Sequence, residues 1–176
     1  PVDDGNGGTA TQDVTVILIG SNDVPEISAG DVTGEITDGT DLTDSGSISF
    51  TDVDLTDRPV ATEVTKSVTA KRADGTTNLP LTTEQLAAIE NAFSISPAAG
   101  NDNDGTINWT YDIDAGDLEF LAEGEVVTAV FTITVDDGNG GTATQDVTVT
   151  LTGSNDVPDI SAGDVTGEIT DGTDLT

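Results

Sequence analysis

The residues with chemical potential are carboxylates, and they sit in the connections. They fall in runs: Asp38, Asp41 and Asp44; Asp52, Asp54 and Asp57; Asp102 and Asp104; Asp112, Asp114 and Asp117; Asp136 and Asp137; with Asn22-Asp23 near one end and Asn155-Asp156 near the other. Oxygen-only donors of this kind suit a hard cation such as calcium, which takes six to eight oxygens in forgiving geometry. Cysteine and histidine are absent, so thiolate or imidazole metal sites and any Ser-His or Cys-His nucleophile pair are excluded. Paired carboxylates can also hydrolyse glycosides, but here they lie in solvated loops with no aromatic platform for a sugar, and no enzyme is expected. The competing view of each single aspartate is that Asp, Asn and Gly serve turns through local hydrogen bonds and positive φ.

The charge balance points the same way. With 34 acidic residues against 4 basic ones the chain carries −30, which repels nucleic acid and anionic membrane surfaces. The four cations, Arg58, Lys66, Lys71 and Arg72, fall within one short stretch, so there is no basic track elsewhere. Strongly acidic chains low in aromatics can be disordered. Here apolar residues alternate cleanly with threonine, which implies a folded chain in need of counter-cations. No apolar run approaches the length of a membrane span, and no direct membrane insertion is expected.

An internal repeat organises the chain. Val2 to Thr43 recurs as Val135 to Thr176 at an offset of 133, and three of those 42 positions differ: Ile17/Thr150, Ile19/Thr152 and Glu26/Asp159. A period this long exceeds the solenoid range and matches an autonomous domain. The expected division is residues 1–21 as the C-terminal strand of a preceding repeat, 22–154 as one complete repeat, and 155–176 as the N-terminal part of a following one.

The elements that must position the carboxylates are mostly strands. Val127, Ala129, Phe131, Ile133 and Val135 share one face, as do Val147, Val149 and Leu151, and Asp136 to Gly141 joins the two as a hairpin connection. Ile48 with Phe50, the series Val60, Thr62, Val64, Val68 and Ala70, and the series Ile107, Trp109 and Tyr111 mark further strands. Thr82 to Gln85 is a capping box, followed by Leu86, Ile89 and Phe93 at helical spacing, which predicts one helix at about 83–91. About seven strands with regular turns predict an all-β sandwich of immunoglobulin type with one short inserted helix. Its expected core is Phe50, Phe93, Trp109, Phe120, Leu121, Phe131 and Ile133. In an up-and-down order, Asp52, Asp54, Asp57, Asp136 and Asp137 come to the pole where the chain enters, here termed the leading pole. Asp38, Asp41, Asp44, Asp112, Asp114 and Asp117 come to the opposite, trailing pole. Two acidic rims then meet at each junction between repeats, and calcium would turn their repulsion into a stiff joint.

Several segments resemble the VCBS repeat family: Gly46 to Asp54, Leu81 to Ile89, Asn108 to Tyr111, Asp117 to Gly124, Thr134 to Thr142 and Thr152 to Pro158. Such repeats occur in giant surface adhesins of Gram-negative bacteria exported by type I secretion. The resemblance implies a cadherin-like, immunoglobulin-type extender at the bacterial cell surface, stiffened by Ca2+ and projecting a ligand-binding region in adhesion and biofilm formation. It also carries calcium ligation onto Asn22, Asp23, Asp52 and Asp54, and onto the copies Asn155 and Asp156. The Asp-Arg-Glu element that cadherins use is missing, and Asp114 and Asp117 stand in for it; Asp136 completes the expected ligand set. The expected partners are calcium ions and adjacent repeats of the same chain, with each module monomeric. The alternative is a calcium-dependent carbohydrate- or protein-binding module acting by avidity. The tails are expected to be disordered or to pair at an exposed edge, including a lone strand from Val165 to Thr170.

Overall fold

The computed structural model describes residues 1–28, 30–97, 100–158, 160, 163 and 166. A small hairpin comes first, β1 (Val2–Asp3) against β2 (Thr9–Ala10). Thr11 to Val24 then form no helix or strand and are exposed. The expected strand from Val165 to Thr170 lies outside the described residues apart from Thr166.

From Pro25 onward the chain builds two four-stranded sheets. One has the order β3 (Glu26–Ser28), β5 (Thr43–Thr51), β8 (Asp104–Asp112), β7 (Phe93–Pro97). The other has the order β4 (Thr33–Thr37), β10 (Thr142–Thr152), β9 (Val126–Asp136), β6 (Val60–Lys71). Within these two sheets, among the described residues, only β7–β8 and β9–β10 are neighbours both in sequence and in a sheet, so the order is not the expected up-and-down one. It is the immunoglobulin arrangement, in which the first strand is split between the sheets and β4 runs parallel to β10. The assignment of connections to poles survives this change, because strands that swap sheets still reverse direction.

The core follows from period-two alternation. Val127, Ala129, Phe131, Ile133 and Val135 of β9, and Val147, Val149 and Leu151 of β10, face Ile48 and Phe50 of β5 and Ile107, Trp109 and Tyr111 of β8, all buried. The Phe93 ring stacks on Phe131 with centroids 4.1 Å apart. The Trp109 indole lies over Gly46, where a Cβ would approach it to 2.6 Å, and its Nε1 donates to the Asp31 carbonyl. Phe120, expected in the core, is only half-buried; Leu118, two residues earlier, is fully buried instead.

Strand β6 departs from the alternation read in the sequence. A bulge between Thr65 and Ser67 shifts the register against β9, which moves the inward face by one residue. Ala61 and Thr65 oppose Val135 and Phe131 before the bulge, whereas Val68 and Ala70 oppose Ala129 and Val127 after it. Val60 and Val64 therefore point outward and are 63% and 60% exposed. Lys66, in the bulge, pairs with Asp146 of β10, and a charged bulge of this kind protects an edge strand from adding another chain.

The crossover from β6 to β7 carries α1 (Thr83–Asn91). Its capping box is formed in both directions: Gln85 N–H donates to Thr82 Oγ1, and Thr82 N–H to Gln85 Oε1. Ile89 is its buried residue, and the buried Tyr111 hydroxyl donates to the Ile89 carbonyl at 3.1 Å. Burial pushes the Tyr111 phenol well above its ordinary value.

Candidate metal centre

Three connections converge at the leading pole. Strand β5 ends at Thr51, β6 begins at Val60, and the β9–β10 hairpin turns at residues 137–141. Strand β3 lies on β5 with Glu26 opposite Thr51, so the segment just before it, Asn22 to Pro25, is laid against the same loops.

The alternation that builds the core also delivers the carboxylates. On β5 the inward parity runs Ile48, Phe50, Asp52; on β9 it runs Ile133, Val135, Asp137. Each strand thus leaves the core with an aspartate where the next apolar residue would stand. Asp52 and Asp137 are each 4% exposed, and Asp57 is 7% exposed. One carboxylate oxygen each from Asp52, Asp54 and Asp57 lies within 4.8 Å of the others.

The local hydrogen bonds order this cluster. Asp54 N–H donates to Asp52 Oδ1 at 2.9 Å, and Asp57 N–H to the Asp54 carbonyl at 2.9 Å. Asn103 ties down the start of the loop: its Nδ2 donates to the Asp52 carbonyl at 2.6 Å and its own carbonyl accepts from Asp52 N–H at 2.8 Å. Arg58 Nη1 donates to the Leu55 and Asp57 carbonyls, while its Nε pairs with Asp102. From the hairpin, Asn139 Nδ2 donates to Asp57 Oδ1 at 3.0 Å. The incoming segment is strapped by Asp23 N–H to Asp54 Oδ2 at 2.8 Å and by Asn22 Nδ2 to Asp137 Oδ2 at 2.9 Å. The Asn22 amide, with backbone N–H groups of the hairpin, holds the Asp137 carboxyl below the usual range.

Two oxygens are left over. Among the described residues, Asp52 Oδ2 and Asp57 Oδ2 are buried without a hydrogen-bond partner. A buried carboxylate oxygen with no partner is costly, and two such oxygens beside a third carboxylate form an anionic, oxygen-only pocket. The donor set, carboxylate oxygens alone, fits a hard divalent cation of the calcium type. Asp52, Asp54 and Asp57 are the residues placed to hold it, with Asn22, Asp23 and Asp137 at its rim.

The structure sorts the nine expected ligand residues. Asn22, Asp23, Asp52 and Asp54 are gathered at this pole. Asp136 is exposed, and its Oδ1 accepts from Gly138 N–H within its own turn; it is the neighbouring Asp137 that is buried. Asp114 and Asp117 lie at the trailing pole around the short 3-10 turn Ala115–Asp117, where Asp117 N–H donates to the Asp114 carbonyl. They line a depression of about 330 Å³ with Asn91 and Asp112. Among the described residues, the group of three acidic side chains close enough to share an ion is the one at the leading pole. Asn155 and Asp156 are exposed and repeat the local bond of Asn22 and Asp23, amide to the next carbonyl, at 3.4 Å against 3.0 Å.

Asp57 and Asp137 were not among those nine. The signal for Asp137 is strand parity, since odd positions of β9 face inward and 137 continues them. Parity selects Asp52 and, at the trailing pole, Asp38 after Ile36, which is buried and accepts from Ser154 Oγ at 3.2 Å. Asp57 follows an irregular loop, and parity is silent there.

Among the described residues no helix is long and apolar enough to cross a membrane. No family model and no curated protein sequence matches the chain. Solved structures similar to it include the ASH/PapD-like domain of human CEP192, at 11% identity and TM-score 0.45, covering 85% of this chain and 98% of that one. The N-terminal Ig1-2 module of the Drosophila receptor protein tyrosine phosphatase DLAR aligns at 14% identity and TM-score 0.40, over 77% and 53% of the two chains. AggA, the major subunit of aggregative adherence fimbriae type I from Escherichia coli, aligns at 13% identity and TM-score 0.39, over 76% and 97%. Likenesses this distant carry no functional argument; the immunoglobulin-type sandwich rests on the strand order itself.

Proposed function

We propose that residues 22–154 form a structural extender bead of a tandemly repeated, extracellular bacterial surface adhesin, stiffened at its leading pole by calcium. The observation that carries this reading is the pair of buried, unpartnered oxygens on Asp52 and Asp57, beside the point where the linker residues Asn22 and Asp23, which open the module, are strapped to its loops. A cation there would neutralise the cluster and fix the Asp54 carboxylate that holds Asp23 N–H. The direction in which one bead leaves the next would thereby be set. The near-identity of the two copies across the repeat supports a role in spacing, since a spacer needs length and stiffness from each copy. The resemblance to VCBS repeats supports the surface-adhesin setting.

The test is a thermal melt of the chain in millimolar calcium, in excess chelator, and in magnesium. The expected result is a large rise in melting temperature specific to calcium, because an ion that binds only the native state stabilises it by mass action. An equal melt in all three conditions would reduce the aspartates to turn formers and sink the reading.

A further inference from the structure

The hairpin between β9 and β10 places a reactive sequence against the cation cluster. Asn139 is exposed and is followed by Gly140, whose φ is 110°. Glycine has no Cβ to shield its backbone nitrogen, so that nitrogen can reach the side-chain amide carbon of a preceding asparagine. This is the chemistry that makes asparagine thermolabile. Asn139 Nδ2 donates to Asp57 Oδ1 at 3.0 Å, its backbone N–H donates to Asp137 Oδ1 at 2.6 Å, and the Gly141 N–H donates to the same Asp137 oxygen at 3.0 Å. The side-chain amide therefore sits on the rim of the cluster, against the buried Asp57 carboxylate.

The same hexapeptide occurs at Asp3 to Gly8 and folds into the same kind of loop, with Gly5 and Gly7 at positive φ and Asp4 accepting from the N–H groups of Asn6 and Gly8. Asn6 Nδ2, however, donates to the Asp4 carbonyl within its own turn. The two copies thus share a sequence and a local geometry and differ in what the asparagine amide faces.

We propose that Asn139–Gly140 is a self-modifying site whose product is an additional carboxylate of the cation cluster. Gly140 N bonds to Asn139 Cγ, its proton passes by way of solvent to the departing amide nitrogen, and the Cγ–Nδ2 bond breaks to release ammonia. Water then opens the five-membered imide. Cleavage of the bond from Gly140 N to Cγ gives aspartate; cleavage at the main-chain carbonyl gives isoaspartate. One ammonia is lost and one water gained, with no change of oxidation state. An amide donor beside Asp57 becomes an anionic oxygen donor. More carboxylate oxygens around the ion tighten calcium binding, while in chelator the added charge faces Asp57 without compensation. The consequence for binding rests on the calcium reading above; the modification does not. Closing the imide ring requires the Asn139 amide to leave Asp57, so conversion is slower at Asn139 than at Asn6.

The test uses the full chain, incubated at mildly alkaline pH and mapped peptide by peptide by mass spectrometry, together with calcium titrations of Asn139→Asp, Asn6→Asp and Asn139→Ser. The expected results are conversion at both asparagines with Asn6 ahead, and a severalfold gain in calcium affinity with a lower melting temperature in chelator for Asn139→Asp. Asn6→Asp should match the wild type, and Asn139→Ser, which cannot form the imide, should show no conversion at 139 and no gain in affinity. Asn139 still intact after an incubation about tenfold longer than the one that converts Asn6 would overturn the proposal. So would an Asn139→Asp affinity equal to or weaker than that of a wild type that does bind calcium. A wild type that binds no calcium overturns the extender reading and the affinity gain together, and the mass map still decides whether the site modifies itself.

Discussion

Replacing Asp57 by asparagine separates the two roles that a buried carboxylate can play at the leading pole. Oxygens of Asp52, Asp54 and Asp57 lie within 4.8 Å of one another. Unit charges at that distance repel by about 0.9 kcal/mol at the dielectric of water and about 3.5 kcal/mol at an effective value of 20. The Asp57→Asn change removes the two pairs that include residue 57, a relief of about 2 kcal/mol at the weaker limit. For a domain of this size that is a rise of about 8 °C in melting temperature in chelator. In calcium the same change removes a ligand oxygen's charge. If the wild type sits at about 100 times its dissociation constant it gains about 2.7 kcal/mol, and a tenfold weaker variant gains about 1.4 kcal/mol. The substitution should thus raise the chelator baseline and halve the calcium increment. The assay is a pair of melts followed by the fluorescence of Trp109, the single tryptophan, which is fully buried. A variant that loses the same stability in chelator and in calcium would refute the reasoning, because the Asp57 charge would then matter neither to repulsion within the cluster nor to the ion.

Two further predictions concern the scaffold. A Cβ at residue 46 would approach the Trp109 ring to 2.6 Å, so Gly46→Ala should cost about 1–3 kcal/mol through overpacking; a urea midpoint equal to that of the wild type would show that the indole has room to move. The Lys66 ammonium, and after it the Thr132 hydroxyl, hold the Asp146 carboxyl below its ordinary value of 3.8. A depressed folded-state value stabilises the fold above the unfolded value, and that contribution is lost as pH falls through the folded one. In an NMR titration Asp146 should ionise below 3.8 and move up toward it in Lys66→Met; no movement would remove Lys66 as the cause.

The duplicated hexapeptide shows where legibility in the sequence ends. Asp3 to Gly8 and Asp136 to Gly141 take up the same turn with the same backbone bonds, one on an isolated two-residue ladder and the other on the end of an eleven-residue hairpin. That geometry is local: it depends on glycines at positive φ and on an aspartate two and four residues before the N–H groups it accepts. The helix was legible for the same reason, since both halves of its capping box lie within four residues. Strand alternation was legible wherever the backbone kept its period, and it failed at β6, where a bulge that nothing in the local pattern announces reversed the face of Val60 and Val64.

Composition, alternation and local motifs therefore determined an all-β sandwich, its internal repeat, the helix at Thr83–Asn91 and the crowding of carboxylates in the connections. What only the tertiary structure decided is which carboxylates are stripped of water and partners. Asn22 meets Asp137, and Asn139 meets Asp57, across separations of 115 and 82 residues. Such contacts exist because two sheets pack and bring three loops to one pole. Burial and an unpaired oxygen are properties of that convergence, and no single stretch of the chain contains the atoms that produce them.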